Sequence, residues 1–122
     1  MINNNMLNGI ALMLGGGAYT IPSYLAFGSS DMILSADNTI TSGEFDRNLL
    51  ESVTVTDNVV KYVGTRSSVE ANDETFVNVS LVNSSTLTGT GDIQSNFLIA
   101  SLTHTTDFDI TTEFWFTIQS GV

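Results

Sequence analysis

The 122-residue chain has no cysteine, one proline and a single histidine, His104. The absence of cysteine excludes disulfides, a thiolate metal site and a cysteine nucleophile, although it does not indicate a cellular compartment. One histidine cannot supply the several imidazole or thiolate ligands of a zinc site. No Gly-x-Ser-x-Gly elbow is present either, so a serine hydrolase is not expected. We interpret His104 as a partly exposed imidazole at the end of a predicted strand.

Basic residues are also scarce, because Arg47, Lys61 and Arg66 stand against 13 acidic residues and the formal net charge is −10. Three basic side chains cannot form the positive patch that nucleic acid or an anionic membrane surface requires, so we expect neither partner. No run of 18 apolar residues predicts a membrane-spanning helix. Charged residues make up only 13% of the chain. A surface rich in serine, threonine and asparagine suits a protein that packs against copies of itself.

Residues 1–17 differ in pattern from the rest of the chain. Asn3-Asn4-Asn5 offers helix N-cap side chains, and Gly15-Gly16-Gly17 predicts the end of a helix. Between them, apolar residues recur at helical spacing: Met6, Leu7, Ile10, Ala11, Met13 and Leu14. We therefore divide the chain into an N-terminal helical arm with a glycine-rich joint, residues 1–17, and a β-sandwich domain, residues 18–122. The stripe fits either a helix docked on its own sheet or an arm that packs on a neighbouring subunit.

The C-terminal stretch 107–119 alternates between apolar and polar residues, which predicts a long strand. Its even positions, including Phe114 and Phe116, are expected to face a core. Trp115 is the apolar exception on the opposite face. Two interpretations of Trp115 stay open: it packs under a loop or the N-terminal helix, or it contacts another subunit, where tryptophan is enriched.

Five further strands are predicted upstream. Residues 49–63 form a hairpin with an Asp57-Asn58 turn, which pairs Val53 with Tyr62 and Thr56 with Val59. The other strands cover 24–28, 75–83 and 96–104, the last with Leu98, Ala100 and Leu102 on one face. The predicted loops cover 31–48, with a turn of helix near 43–47, and also 66–74 and 84–95. The fold class is thus mainly β, a single β-sandwich or barrel-like domain of about six to eight antiparallel strands with a short N-terminal helix.

Carboxylates are the only reactive groups present in number. Asp107 and Asp109 would share one strand face at about 7 Å, a separation compatible with a glycosidase pair. Calcium favours acidic loops, and two loose groups of acids qualify: Glu70, Asp73 and Glu74 in one, Asp31 and Asp37 in the other. Neither group has the order of ligands of an EF-hand. We therefore expect solvated acids, no cofactor, no metal site and a chain that is not an enzyme.

Several sequence features follow one another in a characteristic order along residues 7–119. A glycine-rich break follows the short helix, and then come Tyr24-Leu25-Ala26-Phe27-Gly28, Gly43-Glu44-Phe45-Asp46-Arg47, a Val-Thr-Val hairpin and a final aromatic strand. This order resembles that of the small structural proteins of tailed bacteriophages and archaeal tailed viruses.

The resemblance implies a non-enzymatic structural component of a tailed virus particle, present in many copies on the virion as capsid decoration, head fibre, or tail or fibre subunit. The implied partners are copies of itself, giving a homo-oligomer, and other virion proteins. The candidate subunit-interface residues are Met6, Ile10, Met13, Leu14 and Trp115. The alternative is a receptor- or carbohydrate-binding β-sandwich module, for which the candidate aromatic contacts are Trp115, Tyr19 and Phe45.

Overall fold

The computed structural model of this protein describes residues 1–85 and 93–119. Within these ranges the chain forms one α-helix, α1, and seven β-strands, so the expected mainly-β class is confirmed. Helix α1 spans Asn4–Leu14. Strands β1 to β7 span, in order, Tyr24–Gly28, Glu44–Leu49, Ser52–Thr56, Val59–Arg66, Thr75–Val82, Ile93–Thr103 and Ile110–Thr117.

The strands form two antiparallel sheets that enclose the main core. One sheet has four strands in the order β2-β1-β5-β6, and the other has three in the order β3-β4-β7. The core residues come from both sheets and from α1: Met6, Leu25, Phe27, Tyr62, Phe76, Val79, Leu81 and Phe114. Phe97 of β6 and Phe114 of β7 join the two sheets, with ring centroids 5.0 Å apart. The architecture is therefore that of a β-sandwich.

The alternation predicted for the C-terminal strand is confirmed within β7. Phe114 is buried and Phe116 is half-buried against the core, whereas Glu113 and Trp115 on the opposite face are exposed. The strand is shorter than predicted because it begins at Ile110. Just before it, the Asp109 carboxylate accepts a hydrogen bond of 2.6 Å from the backbone N–H of Ser68.

The predicted hairpin is confirmed in its register. Strands β3 and β4 pair Val53 with Tyr62 and Thr56 with Val59, on either side of the Asp57-Asn58 turn. Asp57 takes a positive φ of 53°, a conformation that aspartate tolerates better than most residues. All five residues of β3 are exposed, so this strand lies outside the part of its sheet that the other sheet covers.

The prediction of a loop with a helical turn near 43–47 is wrong, because residues 44–49 form β2 and pair with β1. Two side chains of β2 that contact β4, Asp46 and Asn48, are polar, which conceals the strand in the sequence. Asp46 binds Arg66 of β4 through a 3.0 Å contact. Asn48 donates a 3.2 Å hydrogen bond to the backbone carbonyl of Thr65. Polar contacts between the sheets therefore add to the packing of Phe45 against the core at this edge.

Strand β6 begins earlier than predicted, at Ile93. Most of the predicted 84–95 loop, residues 86–92, lies outside the described residues. The face shared by Leu98, Ala100 and Leu102 is the exposed one, whereas Phe97 and Ile99 pack against the core. The predicted alternation of β6 is therefore confirmed. Because both faces of this strand carry apolar residues, the sequence did not indicate which face packs against the core.

Candidate functional site

The structure divides the predicted interface residues between the core and the surface. Met6 is 6% exposed and belongs to the main core, and Ile10 is half-buried against it. Met13 and Leu14 lie on the outside of α1, where Leu14 is 85% exposed. The helix thus docks on its own sandwich through one side and leaves the other side uncovered.

We use the name outer face of α1 for the exposed apolar side chains of the helix, which are Leu7, Leu12, Met13 and Leu14. No aspartate, glutamate, lysine or arginine occurs before Asp31, although the whole chain carries a formal charge of −10. The outer face of α1 is therefore an apolar surface on a part of the chain without charged side chains.

Asparagines hold the start of α1 on the sandwich. Asn3 caps the helix by accepting a 3.0 Å hydrogen bond from the backbone N–H of Asn5, and its own side-chain amide donates to the carbonyl of Asn38 at 2.6 Å. The side-chain amide of Asn5 donates to the carbonyl of Ile93 at 3.2 Å. The sequence offered Asn3, Asn4 and Asn5 as caps but did not indicate these long-range contacts, because a cap has the same local pattern wherever the helix docks.

Gly9 provides the closest packing between α1 and the chain that follows it. A Cβ atom at this position would lie 2.2 Å from ring carbons of Tyr19, so only glycine lets the ring rest on the helix backbone. The Tyr19 hydroxyl donates to the side-chain carbonyl of Gln94. Burial, with a further contribution from the Tyr62 phenol, raises the pKa of Tyr19 to about 12. Tyr19 is therefore part of the helix docking site rather than an exposed aromatic contact.

Trp115 lies on the outer surface of the three-stranded sheet and is 61% exposed. Its indole N–H donates a 2.8 Å hydrogen bond to Glu113, and the Lys61 ammonium lies 5.1 Å from the centre of its ring. A shallow cavity of about 360 Å³ opens beside it, lined by Thr54, Thr56, Asp57, Asn58, Val59, Lys61 and Trp115. The interpretation in which Trp115 packs under a loop or under α1 is therefore wrong.

A second groove runs between β6 and β7, which lie at the edges of their respective sheets. Its volume is about 510 Å³, and its lining includes Phe97 and Ile99 of β6 and Ile110 of β7. A neighbouring groove of about 350 Å³ brings Met1 and Ile2 close to Trp115. Neither Met13 nor Leu14 lines these grooves, so the predicted interface residues do not form one continuous site.

His104 is fully buried, so the expectation of a partly exposed imidazole is wrong. Its Nδ1 lies 2.5 Å from Nη1 of Arg66, and its Nε2 lies 2.8 Å from the carbonyl oxygen of Phe108. Because a guanidinium only donates, Nδ1 accepts and Nε2 carries the proton. Arg66 in turn binds Asp46 at 3.0 Å. The imidazole thus connects the turn after β6 to β4. Its burial could not be predicted from the neighbouring sequence, because the contact with Arg66 is long-range.

The acidic residues considered as calcium ligands form no metal cluster in the described ranges, and Asp107 and Asp109, considered as a glycosidase pair, lie before the start of β7 rather than on a strand. Within residues 1–85 and 93–119, no group of three histidine, aspartate or glutamate side chains is arranged to hold a metal ion. Glu70 accepts hydrogen bonds from the Ser67 backbone N–H, the Ser67 hydroxyl and the Asn48 amide. Partial burial raises the pKa of Glu70, but these hydrogen bonds and the charge of Arg66 outweigh it and lower the pKa overall.

Among the described residues, no helix is both long and apolar enough to cross a membrane. Comparisons with protein-family models, with curated proteins and with solved structures found no match to this chain.

Proposed function

We propose that this chain is a non-enzymatic structural subunit of a tailed virus particle, present in many copies and bound to copies of itself. The order of sequence features that resembles small virion proteins supports this role, and so does the β-sandwich. The observation that carries the proposal is the outer face of α1, where Leu7, Leu12, Met13 and Leu14 remain exposed on a helix already docked by Met6. Four large apolar side chains exposed on one short helix favour a surface that binds another protein.

The particle itself provides the test of the virion role. Quantitative mass spectrometry of purified virus particles from the source culture is expected to find this chain at a copy number comparable to that of major shell or tail proteins. Particles that lack the chain would overturn the proposal.

A second experiment tests the surface that carries the proposal. Leu14→Glu places a charge on the outer face of α1, and we expect it to weaken self-association in sedimentation velocity while leaving the melting temperature unchanged, because Leu14 is 85% exposed. Thr20→Glu, at another exposed position outside the helix, adds the same charge and serves as the matched control. Equal sedimentation of both variants and the parent protein would exclude this face as the contact.

The surface around Trp115 favours a second candidate function, the binding of a carbohydrate. An exposed indole ring stacks on the apolar face of a sugar, and the hydroxyl, amide and carboxylate groups of Thr54, Asn58 and Asp57 line the adjacent cavity. Of the three aromatic residues considered from the sequence, Tyr19 and Phe45 are half-buried and Trp115 is exposed. Glycan-array binding that Trp115→Ala abolishes and Leu14→Glu preserves would support this function. No binding to any glycan would contradict it.

A further inference from the structure

Residues 1–14, here called the N-terminal segment, occupy a docking site built by later parts of the chain. The backbone pairs with β6 in antiparallel fashion, since Asn96 N–H donates to the Met1 carbonyl at 3.0 Å and Asn3 N–H donates to the Gln94 carbonyl at 2.9 Å. On the other side, Asn4 N–H donates to the carbonyl of Ala36 at 2.8 Å. The residues that bind the segment in these hydrogen bonds all follow the glycine joint in the chain. A second copy of the chain therefore presents the same docking site.

The sandwich is incomplete without this segment. Met6 is 6% exposed and lies in the same core cluster as Tyr62 and Phe114. Asn3 is 2% exposed and fills a polar position under residues 36–38. An empty docking site would therefore expose apolar core and unpaired backbone groups of β6, which makes some occupant necessary.

The joint that follows the segment has no side chains to hold it in place. Gly15, Gly16 and Gly17 are all exposed, and Gly16 takes a positive φ of 83° in the turn that folds the chain back on itself. Opened to an extended conformation, three residues span about 10 Å. Short joints of this kind favour the exchange of the element they connect.

The segment adds no repulsion of its own when it comes from another copy. The 13 acidic residues all lie after residue 30, so the segment brings no acidic side chain into the docking site, although the two copies as wholes repel each other. The contacts within the docking site are the same whether the segment comes from the same chain or from another. The closed and exchanged forms therefore differ only in the conformation of the joint, in the new contacts between copies and in the entropy of association.

From these contacts we infer that the N-terminal segment is exchanged between copies of this chain, each copy completing the sandwich of another. The smallest product is a reciprocal dimer. The inference deepens the proposed structural role. It rests on that role only where it concerns contacts between subunits inside a virus particle. Exchange is measured on the pure protein, so its failure is distinguishable from absence of the chain from virus particles.

The lack of cysteine permits a direct test with single-cysteine variants. Ile2 and Ser95 face each other in an antiparallel bridge, and the hydrogen bonds lie at the flanking residues, so this is the closer, non-hydrogen-bonded type of pair. Its geometry is suited to a disulfide. Ile2→Cys and Ser95→Cys proteins are unfolded together in urea, refolded at high concentration and oxidised. Exchange predicts a disulfide-linked dimer of the two variants on a non-reducing gel.

Two controls define the result. Ile2→Cys mixed with Thr103→Cys, an exposed position at the far end of β6, reports collisional cross-linking only. The double variant Ile2→Cys with Ser95→Cys shows that the pair forms a disulfide when the segment is docked. A cross-link within the double variant, together with no more dimer from the mixed single variants than from the Thr103→Cys control, would overturn the inference.

The joint provides an independent measurement. A Cβ at Gly16 meets no atom within 4 Å, so Gly16→Ala penalises only the left-handed backbone of the closed turn and favours exchange by roughly tenfold per joint. Gly15→Ala is the matched control, since Gly15 has a φ of −86° and its added Cβ would lie 3.6 Å from the nearest atoms. Sedimentation equilibrium is expected to show more dimer for Gly16→Ala than for Gly15→Ala. Identical distributions, with both variants folded by circular dichroism, would contradict exchange.

Discussion

At the scale of single residues, the scarce ionisable side chains tie separate parts of the fold together. Arg66 is 2% exposed, and it links Asp46 on β2 to His104 after β6 while its guanidinium lies 5.5 Å from the centre of the Phe45 ring. Glu70 links Ser67 to Asn48 on β2. These groups pair with one another where β2 lies against β4.

Removal of the imidazole is expected to destabilise the protein. His104→Leu leaves a buried guanidinium N–H of Arg66 without an acceptor, so we expect the free energy of unfolding in urea to fall by about 2–4 kcal/mol. Thr106→Ala, at an exposed position in the same turn, is expected to change it by less than about 0.5 kcal/mol. A fully stable His104→Leu protein would show that Arg66 finds another partner.

The lowered pKa of Glu70 predicts that the stability of the fold decreases at acidic pH. Because the folded state lowers its pKa from the usual 4.5, the carboxylate stabilises the protein above pH 4.5, and this contribution is lost as the pH falls through the lowered folded value. Glu70→Gln should therefore be less stable than the parent protein at pH 7, with the two curves of melting temperature converging on acidification. Parallel curves would mean that the charge of Glu70 contributes nothing to the stability of the fold.

At the scale of elements, the sequence predicts those parts of the fold whose evidence is local. The hairpin register follows from the Asp57-Asn58 turn and its flanking pattern, and the helix follows from the Asn3 cap and the glycine stop. Strand β2 was missed because its inward residues, Asp46 and Asn48, are polar and find their partners on β4. The burial of His104 was missed for the same reason, since its partner Arg66 is 38 positions away. The candidate interface was predicted only in part. Met6 and Leu14 belong to the same apolar stripe in the sequence, but Met6 is buried in the core and Leu14 is exposed.

The register of β7 is tested by two substitutions on opposite faces. Phe116 packs edge-on against Tyr62, with centroids 5.8 Å apart. Phe116→Asp is expected to cost about 3–5 kcal/mol and to prevent cooperative unfolding in calorimetry. Glu113→Ala, on the exposed face, is expected to stay within about 0.5 kcal/mol of the parent protein. A cooperatively folding Phe116→Asp protein would place this strand out of register by one residue.

At the scale of the whole molecule, the sandwich is held by apolar burial and polar cross-links between sheets that join distant parts of the chain. The N-terminal segment closes one end by pairing with β6, and β7 at the other end of the chain pairs with β4. The surface outside these contacts combines an acidic sandwich with an apolar helix face that has no charged side chains. This separation of charge and apolarity is the reason for which we propose assembly through the helix rather than through the acidic surface.

The whole fold is expected to be independent of metal ions. The carboxylates of Asp46, Glu70 and Asp109 are already engaged by Arg66, by Ser67 and Asn48, and by the Ser68 backbone. We expect the melting temperature to be the same in calcium and in EDTA, as measured by calorimetry. A decrease of tens of degrees in EDTA would reveal a stabilising ion.

The pairing of residues 1–3 with β6 has a consequence for synthesis on the ribosome. The Met1 carbonyl accepts a hydrogen bond from Ser95, 94 positions along the chain. At roughly 5–20 residues per second, the first helix emerges roughly 5–20 seconds before its docking strand is made. During that interval the Met6 face of the helix has no completed sheet of its own to bind. Under the proposed exchange, the nearest acceptor with a finished β6 is a chain further along the same messenger, and the order of translation would promote pairing between sister chains.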